Sequence, residues 1–500
     1  MKRLLIANRG EIAVRIARSA REMGLGTVAV HGAGDAAAPH VRAADAAVSL
    51  GDGPPAETYL SIERLLQAAR SAGADAVHPG YGFLSESAAF ARAVAGAGLV
   101  WVGPPPAAME EMGGKLRSRV RMEAAGVPVV PGSLAGTGGR ELAAAAEKIG
   151  YPLLVKASAG GGGKGMSRVD RPEDLAAALE EGRRLAETAF GDGTVYLERL
   201  LEHCRHVEFQ VFGDSAGHVV HLFERECSVQ RRHQKIVEET PSPALTPALR
   251  AAMGEAAVAA ARAVGYASAG TVEFLVAPDG RFYFLEMNTR LQVEHPITEA
   301  TLGIDLVRAQ LEVAAGASLP PGWRDGSLAP RGHAIELRLY AEDPVEFLPR
   351  TGRLLAWREP EGPGIRVDAG VEEGSVVGVE YDPLLAKLTV SAQDRDAAIA
   401  RALRALSDWI VLGVETNLPL LRSVLESPEF RSGRYDTSLV ARLPPRRIPE
   451  PPDAAWIAAA LAASGAAAAT GGGSPAAAGS AAGSAASDPW DKLGAWRPGA

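Results

Sequence analysis

Two cysteines in 500 residues, Cys204 and Cys227, are too few to staple a fold; this excludes a disulfide framework and fits a reducing compartment. Long apolar runs are missing too. The opening MKRLLIANRGEIAV is broken by Asn8, Arg9 and Glu11, and no stretch approaches the ~20 apolar residues of a membrane span. A soluble, cytoplasmic protein is therefore expected. Positive charge is not in excess, since 52 Lys+Arg face 60 Asp+Glu, so no broad field favours nucleic acid or an anionic membrane. Any anionic ligand must be held locally. Lysine is scarce: eight of the basic residues are lysine, and four of those, Lys115, Lys156, Lys164 and Lys235, fall in the motif-like segments below. Charge vanishes altogether between Asp453 and Asp488, where Ala, Gly, Ser and Pro prevail, and residues 446–500 read as a linker tail.

What is present alternates strand and helix from the start. RLLIA is followed by EIAVRIARSAREMG, with Ile12, Ile16 and Met23 at helical spacing, and then by GTVAV. A helix over Ser61–Ser71, the strand DAVH, a helix over SAAFARAVAGAG and the strand LVWVG complete a parallel α/β unit. NRGEIA after the first strand does not match G-x-G-x-x-G, so a dinucleotide is not indicated. Residues 106–150 read as mainly helical, and strands and turns are expected to dominate from Val195 to Pro296. A helical stretch then runs to about Ala315. Another strand-rich module follows, from RGHAIELRLYAED to YDPLLAKLTVSA, closed by a helix over DRDAAIARALRALSDW.

The run KASAGGGGKGMS, Lys156 to Ser167, follows a strand and sets glycines between lysines. Such a loop lets backbone N–H groups approach phosphate oxygens, with ammonium charge alongside. It is not a P-loop, because Gly165 stands where Ser or Thr is required after the lysine. In TVEFLVAPDGRFYFLEMNTRLQVEH a two-residue turn at Asp279–Gly280 would set Glu273 opposite Glu286, Cβ atoms about 4.5–5.5 Å apart. A divalent cation would relieve that repulsion. A three-residue turn from Pro278 is the alternative, and a one-residue slip would flip a strand face. If the chain stays extended, Asn288, Arg290, Gln292 and Glu294 line the same face as Glu286; Glu294 is then a candidate base, and Arg290 a bidentate grip for carboxylate or bicarbonate. Arg231, Arg232, His233 and Lys235 cluster in SVQRRHQKIVEE, either as a surface charge run or as phosphate ligands. A zinc reading of Cys204, His206, Cys227 and His233 lacks metal-ligand spacing.

With these residues laid out, the chain closely resembles the biotin carboxylase family. The matching segments are IANRGEIAVRI, HPGYGFLSE, AGVPVVPG, YPLLVKASAGGGGKGM, RHVEFQV, ERECSVQRRHQKIVEE, FLEMNTRLQVEHPITE, RGHAIELRLYAEDP and YDPLLAKL. They run in family order from residue 3 to about residue 440. The resemblance implies an α/β and α+β fold: a Rossmann-like N-terminal domain (1–113), an ATP-grasp domain (114–316, lid about 131–203) and a C-terminal biotin carboxylase α/β domain (330–445). It further implies ATP contacts at Lys115, Lys156, Gly162, Gly163, Glu198, Arg199, Leu200, Leu201, His206, Gln230 and His233. Glu273, Glu286 and Asn288 are similar to ligands of two Mg2+ or Mn2+ ions. Lys235, Arg290, Gln292, the Val293 backbone N–H and Glu294 resemble a bicarbonate site with Glu294 as base, and Arg338 matches the residue that steadies the biotin enolate.

The implied activity is ATP- and bicarbonate-dependent carboxylation of biotin on a carrier protein or domain, through carboxyphosphate. This is the first half-reaction of an acetyl-, propionyl- or methylcrotonyl-CoA carboxylase. The resemblance further suggests a homodimer and, as partner, a carboxyltransferase subunit. Departures are Gly114 in MGGK, where members often have Asp, and Ser167, where many have Arg. No AMKM biotinylation motif occurs, so the biotin is expected on another chain, or the chain is cut short; DPWDKLGAWR resembles the sequence before the next module of long α-subunits. Competing readings are another ATP-grasp ligase acting on amines, or a non-catalytic assembly protein.

Overall fold

The computed structural model describes residues 1–133, 139–158 and 166–444, with 453 and 457. The chain opens as β1 (Arg3–Ile6), α1 (Gly10–Glu22), β2 (Gly26–His31), α2 (Pro39–Ala43), β3 (Ala46–Ser49), α3 (Ile62–Ser71), β4 (Ala76–His78), α4 (Ala88–Gly96) and β5 (Val100–Trp101). The five strands form one parallel sheet in the order β3-β2-β1-β4-β5, as the strand–helix alternation implies. Helices cover both faces, so Leu4, Leu5 and Ile6 of β1 are all buried rather than alternating. Ser61 and Ser87 cap α3 and α4 by accepting from the Arg64 and Phe90 N–H groups, each contact worth about 1 kcal/mol.

Three helices follow, α5 (Pro106–Gly113), α6 (Lys115–Ala124) and α7 (Gly139–Ile149). A small antiparallel sheet of order β7-β6-β8 comes next, from β6 (Leu153–Ala157), β7 (Met166–Val169) and β8 (Val195–Arg199), with α8 (Leu175–Phe190) inserted before β8. Leu142 and Ile149 of α7 and Leu175 and Leu179 of α8 share one core with Leu153, Val155 and Leu197 of this sheet. Lys156 therefore stands at a fixed strand position. The glycine run itself, with Gly162, Gly163 and Lys164, lies outside the described residues, as does most of the tail.

The largest sheet is built from β9 (Arg205–Gly213), β10 (Val219–Arg231), β11 (Gln234–Thr240), β12 (Ser268–Val276), β13 (Phe282–Asn288) and β14 (His333–Tyr340). Later strands are β15 (Gly352–Arg353), β16 (Ala356–Arg358), β17 (Ile365–Ala369), β18 (Val376–Val377), β19 (Leu384–Ala392) and β20 (Ile410–Leu412). Eight of these strands run in the order β13-β12-β9-β10-β11-β14-β19-β17, so the sheet crosses from the central to the C-terminal region through the β11–β14 ladder. The reading of 195–296 as strands and turns needs correction: α9 (Pro247–Ala263) lies within it. Its alanine-rich sequence favours helix, and Met253, Ala257, Ala260 and Ala261 pack into one core with Val207, Phe209 and Phe274. After β13 come α10 (His295–Leu302) and α11 (Leu306–Ala314). Among the described residues no helix is long and apolar enough to cross a membrane.

The β12–β13 hairpin reaches the expected pairing through the alternative three-residue turn and a bulge. Its turn is not the two-residue one: Ala277 N–H bonds the Arg281 carbonyl at 2.8 Å, spanning Pro278, Asp279 and Gly280, with Gly280 at φ +84°. Near the turn Val276 pairs with Phe282 and Phe274 with Phe284. One extra residue, Leu285, then bulges out, and Glu273 falls opposite Glu286 after all. The bulge cancels the register change that the longer turn introduced.

Candidate active site

Register across the large sheet sets a row of charge. Glu286 of β13 pairs with Glu273 of β12, Glu273 with Glu208 of β9, and Glu208 with Arg225 of β10. Glu208 and Arg225 are fully buried and Glu273 nearly so. Three carboxylates side by side repel strongly at low dielectric, so cations must sit among them. Lys235, from β11, is the main one: its Nζ lies 2.5 Å from Glu208 Oε2, 2.7 Å from Glu273 Oε1 and 2.7 Å from Glu294 Oε1. Arg225 donates from Nε to Glu208 Oε1 at 2.6 Å and from Nη1 to Gln210 Oε1 at 2.7 Å. His206 Nε2 lies 2.7 Å from Glu273 Oε2, and Gln230 Nε2 meets His206 Nδ1 at 2.7 Å.

Glu294 sits where the strand direction has been lost. The extended run expected through residue 294 ends at Asn288; the chain bends at Arg290 and turns at 293–294 into α10. The four polar side chains nevertheless converge. Asn288 Nδ2 and Gln292 Nε2 donate to Glu273 Oε1 at 2.8 and 2.9 Å, and Arg290 Nη2 donates to Asn288 Oδ1 at 3.0 Å. Arg290 also faces Glu86 at 3.3 Å. Glu294 Oε2, the oxygen not taken by Lys235, accepts from Arg338 Nη2 at 2.9 Å, and Arg338 Nε donates to Glu238 Oε1 at 2.6 Å.

These contacts determine the protonation pattern. Burial alone would raise the Glu294 pKa, but Lys235 and Arg338 overturn that and hold its carboxylate far below the ordinary range. Glu273 behaves the same way, with Lys235 and His206 outweighing burial. Burial would lower Lys235, yet its three carboxylates push it well up, so it stays an ammonium. Glu208 is raised, first by burial and then by Glu294, and burial pushes Glu238 up to about 7 despite Arg338. Glu286 opens to solvent, but the protein packed around its carboxylate and the Glu273 charge raise its pKa. A divalent cation between Glu273 and Glu286 would remove that repulsion, and their oxygens suit a hard ion. The donor set therefore fits Mg2+ or Mn2+, with Asn288 Oδ1, now bonded by Arg290, as a third oxygen.

A second group of charges comes from β6, β8 and α6. Lys156 Nζ meets Glu198 Oε1 at 2.6 Å, with Arg119 3.7 Å from the other oxygen of Glu198. Lys115, at the first turn of α6, has its pKa lowered by burial and by Lys156, against the attraction of Glu286 and Glu198. The two lysines and Glu286 thus share one electrostatic neighbourhood. Arg199 instead turns its Nη1 to the Ile149 carbonyl at 3.4 Å, and Leu200 N–H bonds the Pro152 carbonyl at 3.0 Å; Leu201 follows in the same connection. His233, at φ +66°, stands exposed on the β10–β11 turn, outside the buried carboxylate cluster. The Val293 carbonyl accepts from Lys387 at 2.6 Å.

The zinc set is not assembled among the described residues. His206 groups with Glu208 and Glu273, and Cys227 with Glu208 and Glu294, while the Lys235 ammonium already bonds all three carboxylates. Cys204 and Cys227 are free and buried, with burial raising both thiols. Sequence reading missed Glu208, Arg225, Glu238 and Lys387. The available signal was polar residues at alternate positions of strands, as in RHVEFQV, where His206, Glu208 and Gln210 are as buried as Val207, Phe209 and Val211.

Comparison with known proteins gives three family matches. Residues 1–109 match the family described as biotin carboxylase, N-terminal domain; 114–321 match carbamoyl-phosphate synthase L chain, ATP binding domain; and 336–442 match the biotin carboxylase C-terminal domain. The chain is 50% identical over 440 residues to a biotin carboxylase of Halalkalibacterium halodurans, covering 88% of this chain and 97% of that one. It is 49% identical over 439 residues to biotin carboxylase 2 of Bacillus subtilis, covering 88% and 98%. The biotin carboxylase domain dimer of the Hydrogenobacter thermophilus 2-oxoglutarate carboxylase, solved with MgADP, ADP and bicarbonate, superposes with a TM-score of 0.83 at 43% identity, covering 88% and 97%.

Proposed function

Because the chain belongs to the biotin carboxylase family, we propose that it carboxylates biotin borne on a carrier protein or domain, serving an acetyl-, propionyl- or methylcrotonyl-CoA carboxylase. It is an ATP-dependent ligase with three domains. The observation that supports the biotin-carboxylating reading is the meeting of Lys235 with Glu208, Glu273 and Glu294, with Arg338 on the far oxygen of Glu294. A carboxylate base is held between two cations that bicarbonate and phosphate can also engage.

In this reading Lys115 and Lys156 hold ATP phosphates, and Gly162, Gly163, Glu198 to Leu201, His206, Gln230 and His233 supply the other ATP contacts. Glu273, Glu286 and Asn288 would hold Mg2+ or Mn2+, and bound metal would offset charge on the transferring phosphoryl oxygens. Bicarbonate lies against Lys235, Arg290, Gln292 and the Val293 N–H. As it enters, Lys235 and Arg338 share their charge with it, and the Glu294 carboxylate loses part of what depresses its pKa. Glu294 then becomes basic enough to take the bicarbonate proton, and the oxyanion attacks the γ-phosphorus to give carboxyphosphate. Carboxyphosphate releases CO2 and phosphate; phosphate removes the ureido proton of biotin; Arg338 faces the enolate that captures CO2. A carboxyltransferase then passes the carboxyl group on, and the chain acts as a homodimer in the cytoplasm.

The test is ATP cleavage by purified protein with biotin, with and without bicarbonate. Turnover is expected to require both, and Glu294→Gln to lower kcat by about 10²–10⁴ while Mg-ATP binding survives. Bicarbonate-independent turnover would refute the assignment.

A further inference from the structure

Lys387 is fully buried in β19, yet the chemistry above does not use it. Its neighbours in register are Arg338 of β14 and Asp368 of β17, so it lies one strand from the arginine that grips Glu294. Its Nζ donates to the Val293 carbonyl at 2.6 Å and lies 3.3 Å from Glu11 Oε1 of α1, with the Tyr81 ring centroid at 5.9 Å. The turn carrying Val293 has a second tether: His295 Nδ1 bonds the Gln292 carbonyl at 2.8 Å. Since a carbonyl is the acceptor, Nδ1 carries the proton, and burial with the Lys387 charge keeps the imidazole neutral.

Two successive peptide planes are thereby fixed. A trans peptide points its C=O and N–H in opposite directions. Holding the Gln292 carbonyl aims the Val293 N–H; holding the Val293 carbonyl aims the peptide that leads into Glu294. We propose that Lys387 is a positioning residue of the bicarbonate site, a buried strut from α1 and β19 that sets the direction of the Gln292–Glu294 turn and hence the placement of the base. This rests on the biotin carboxylase reading of that turn. Lys387 touches no reacting atom; it acts through the Val293 carbonyl.

Lys387→Met removes the donor at similar length, and Glu11→Gln/Lys387→Met removes in addition the carboxylate that would be left uncompensated, so that a folded variant is available. Misplacement by about 1 Å costs up to ~10²-fold in a positioned reaction. The expected result is a bicarbonate KM raised about 10-fold or more and a lowered kcat, the ATP KM changing less than about 2-fold. Amide exchange should rise in peptides covering 288–296 and stay unchanged in the β6–β8 sheet. Unchanged bicarbonate KM and unchanged 288–296 exchange in a folded variant overturn the proposal. Equal rises in both KM values, with exchange faster throughout the chain, also overturn it and leave a merely structural lysine. The exchange readout is independent of activity: if the wild-type protein shows no bicarbonate-dependent ATP cleavage, the functional reading fails while the strut is still tested.

Discussion

Replacing Lys235 by methionine should make the protein's stability fall more steeply with rising pH than the parent's does. Three carboxylates converge on the Lys235 ammonium within 2.5–2.7 Å, and all are buried. Without it, His206, Arg225 and Arg338 remain, but Glu208, Glu273 and Glu294 lose the one cation common to all three. Removing one partner of a buried ion pair costs about 3–5 kcal/mol, unless a carboxylate takes up a proton. In the variant at least one carboxylate should have its folded pKa raised above its unfolded value of about 4.3. Such a group contributes stability in full below the unfolded pKa and loses it as pH rises toward the folded one, at about 1.4 kcal/mol per pH unit per proton. In the parent, Glu273 and Glu294 are depressed, and their contribution is present above the unfolded pKa and lost on acidification; Glu208 is already raised, by burial and then by Glu294, so the parent loses some stability as pH rises and the variant more. The gap between the two proteins should therefore widen from about pH 5 to about pH 8, by up to roughly 4 kcal/mol for one proton. The assay is the melting temperature of both proteins in the same buffers at matched ionic strength. A gap that is flat across this range, or widest in acid, would refute the charge arrangement.

Glu239 gives a simpler acid-side prediction: burial would raise it, but His333 and Arg395 hold it at about 2, so its stabilisation is present above the unfolded pKa and fades as pH falls toward 2. Glu239→Gln should remove roughly 3 kcal/mol near neutrality and show less difference from the parent in acid, read from melting curves at about pH 3 and about pH 7. Gly80 has φ +65°, and a Cβ there would stand 2.7 Å from Asn8 Nδ2, which donates to the Pro79 and Tyr81 carbonyls. Gly80→Ala should cost more than about 1 kcal/mol, and an unchanged melting temperature would contradict the strain. Lys115→Met should raise the ATP KM by about 10-fold or more and leave the bicarbonate KM near its parent value; the reverse pattern would move Lys115 out of the phosphate site.

The fold was legible where one signal sufficed. The β-α alternation of the first hundred residues needs only periodicity, and the sheet order follows from short right-handed connections. The α9 helix was hidden because PALRAAMGEAAVAAARA lies between two hairpins and the surrounding strand reading absorbed it. The Glu273–Glu286 pair shows a subtler limit. Its register came out as expected although the turn did not, because the Leu285 bulge offset the extra turn residue. Pro278 marked the longer turn as an alternative, but nothing in GRFYFLE marks the bulge at Leu285. Lys235, Arg290, Glu294 and Arg338 stand out through resemblance, whereas Glu208 and Lys387 have only uncharged immediate neighbours, and Arg225 and Glu238 sit among other charges, in FERE and VEE, that do not mark them out. Their partners lie on other strands, on turns and on the helices α1 and α10, and only the tertiary fold brings them together.

The register of the large sheet suggests why it runs unbroken from β13 to β17. Crossing it, the charged residues begin with the solvent-open Glu286 and the buried Glu273 and Glu208, an acidic run beside Arg225; they end with Arg338 and Lys387, a basic pair beside Asp368. Neither run is stable alone in a low-dielectric interior. Lys235 of β11 and Glu294 of the following turn join them: Lys235 enters the acidic run, and Glu294 bonds both Lys235 and Arg338. Compensation is thus shared between central and C-terminal strands, and neither region can satisfy its charges without the other. A site built this way has carboxylates and cations already desolvated and already aimed, so an arriving anion exchanges partners instead of stripping water from them. The cost is borne by folding, and it explains why buried strand residues such as Arg225 and Lys387 are charged at all.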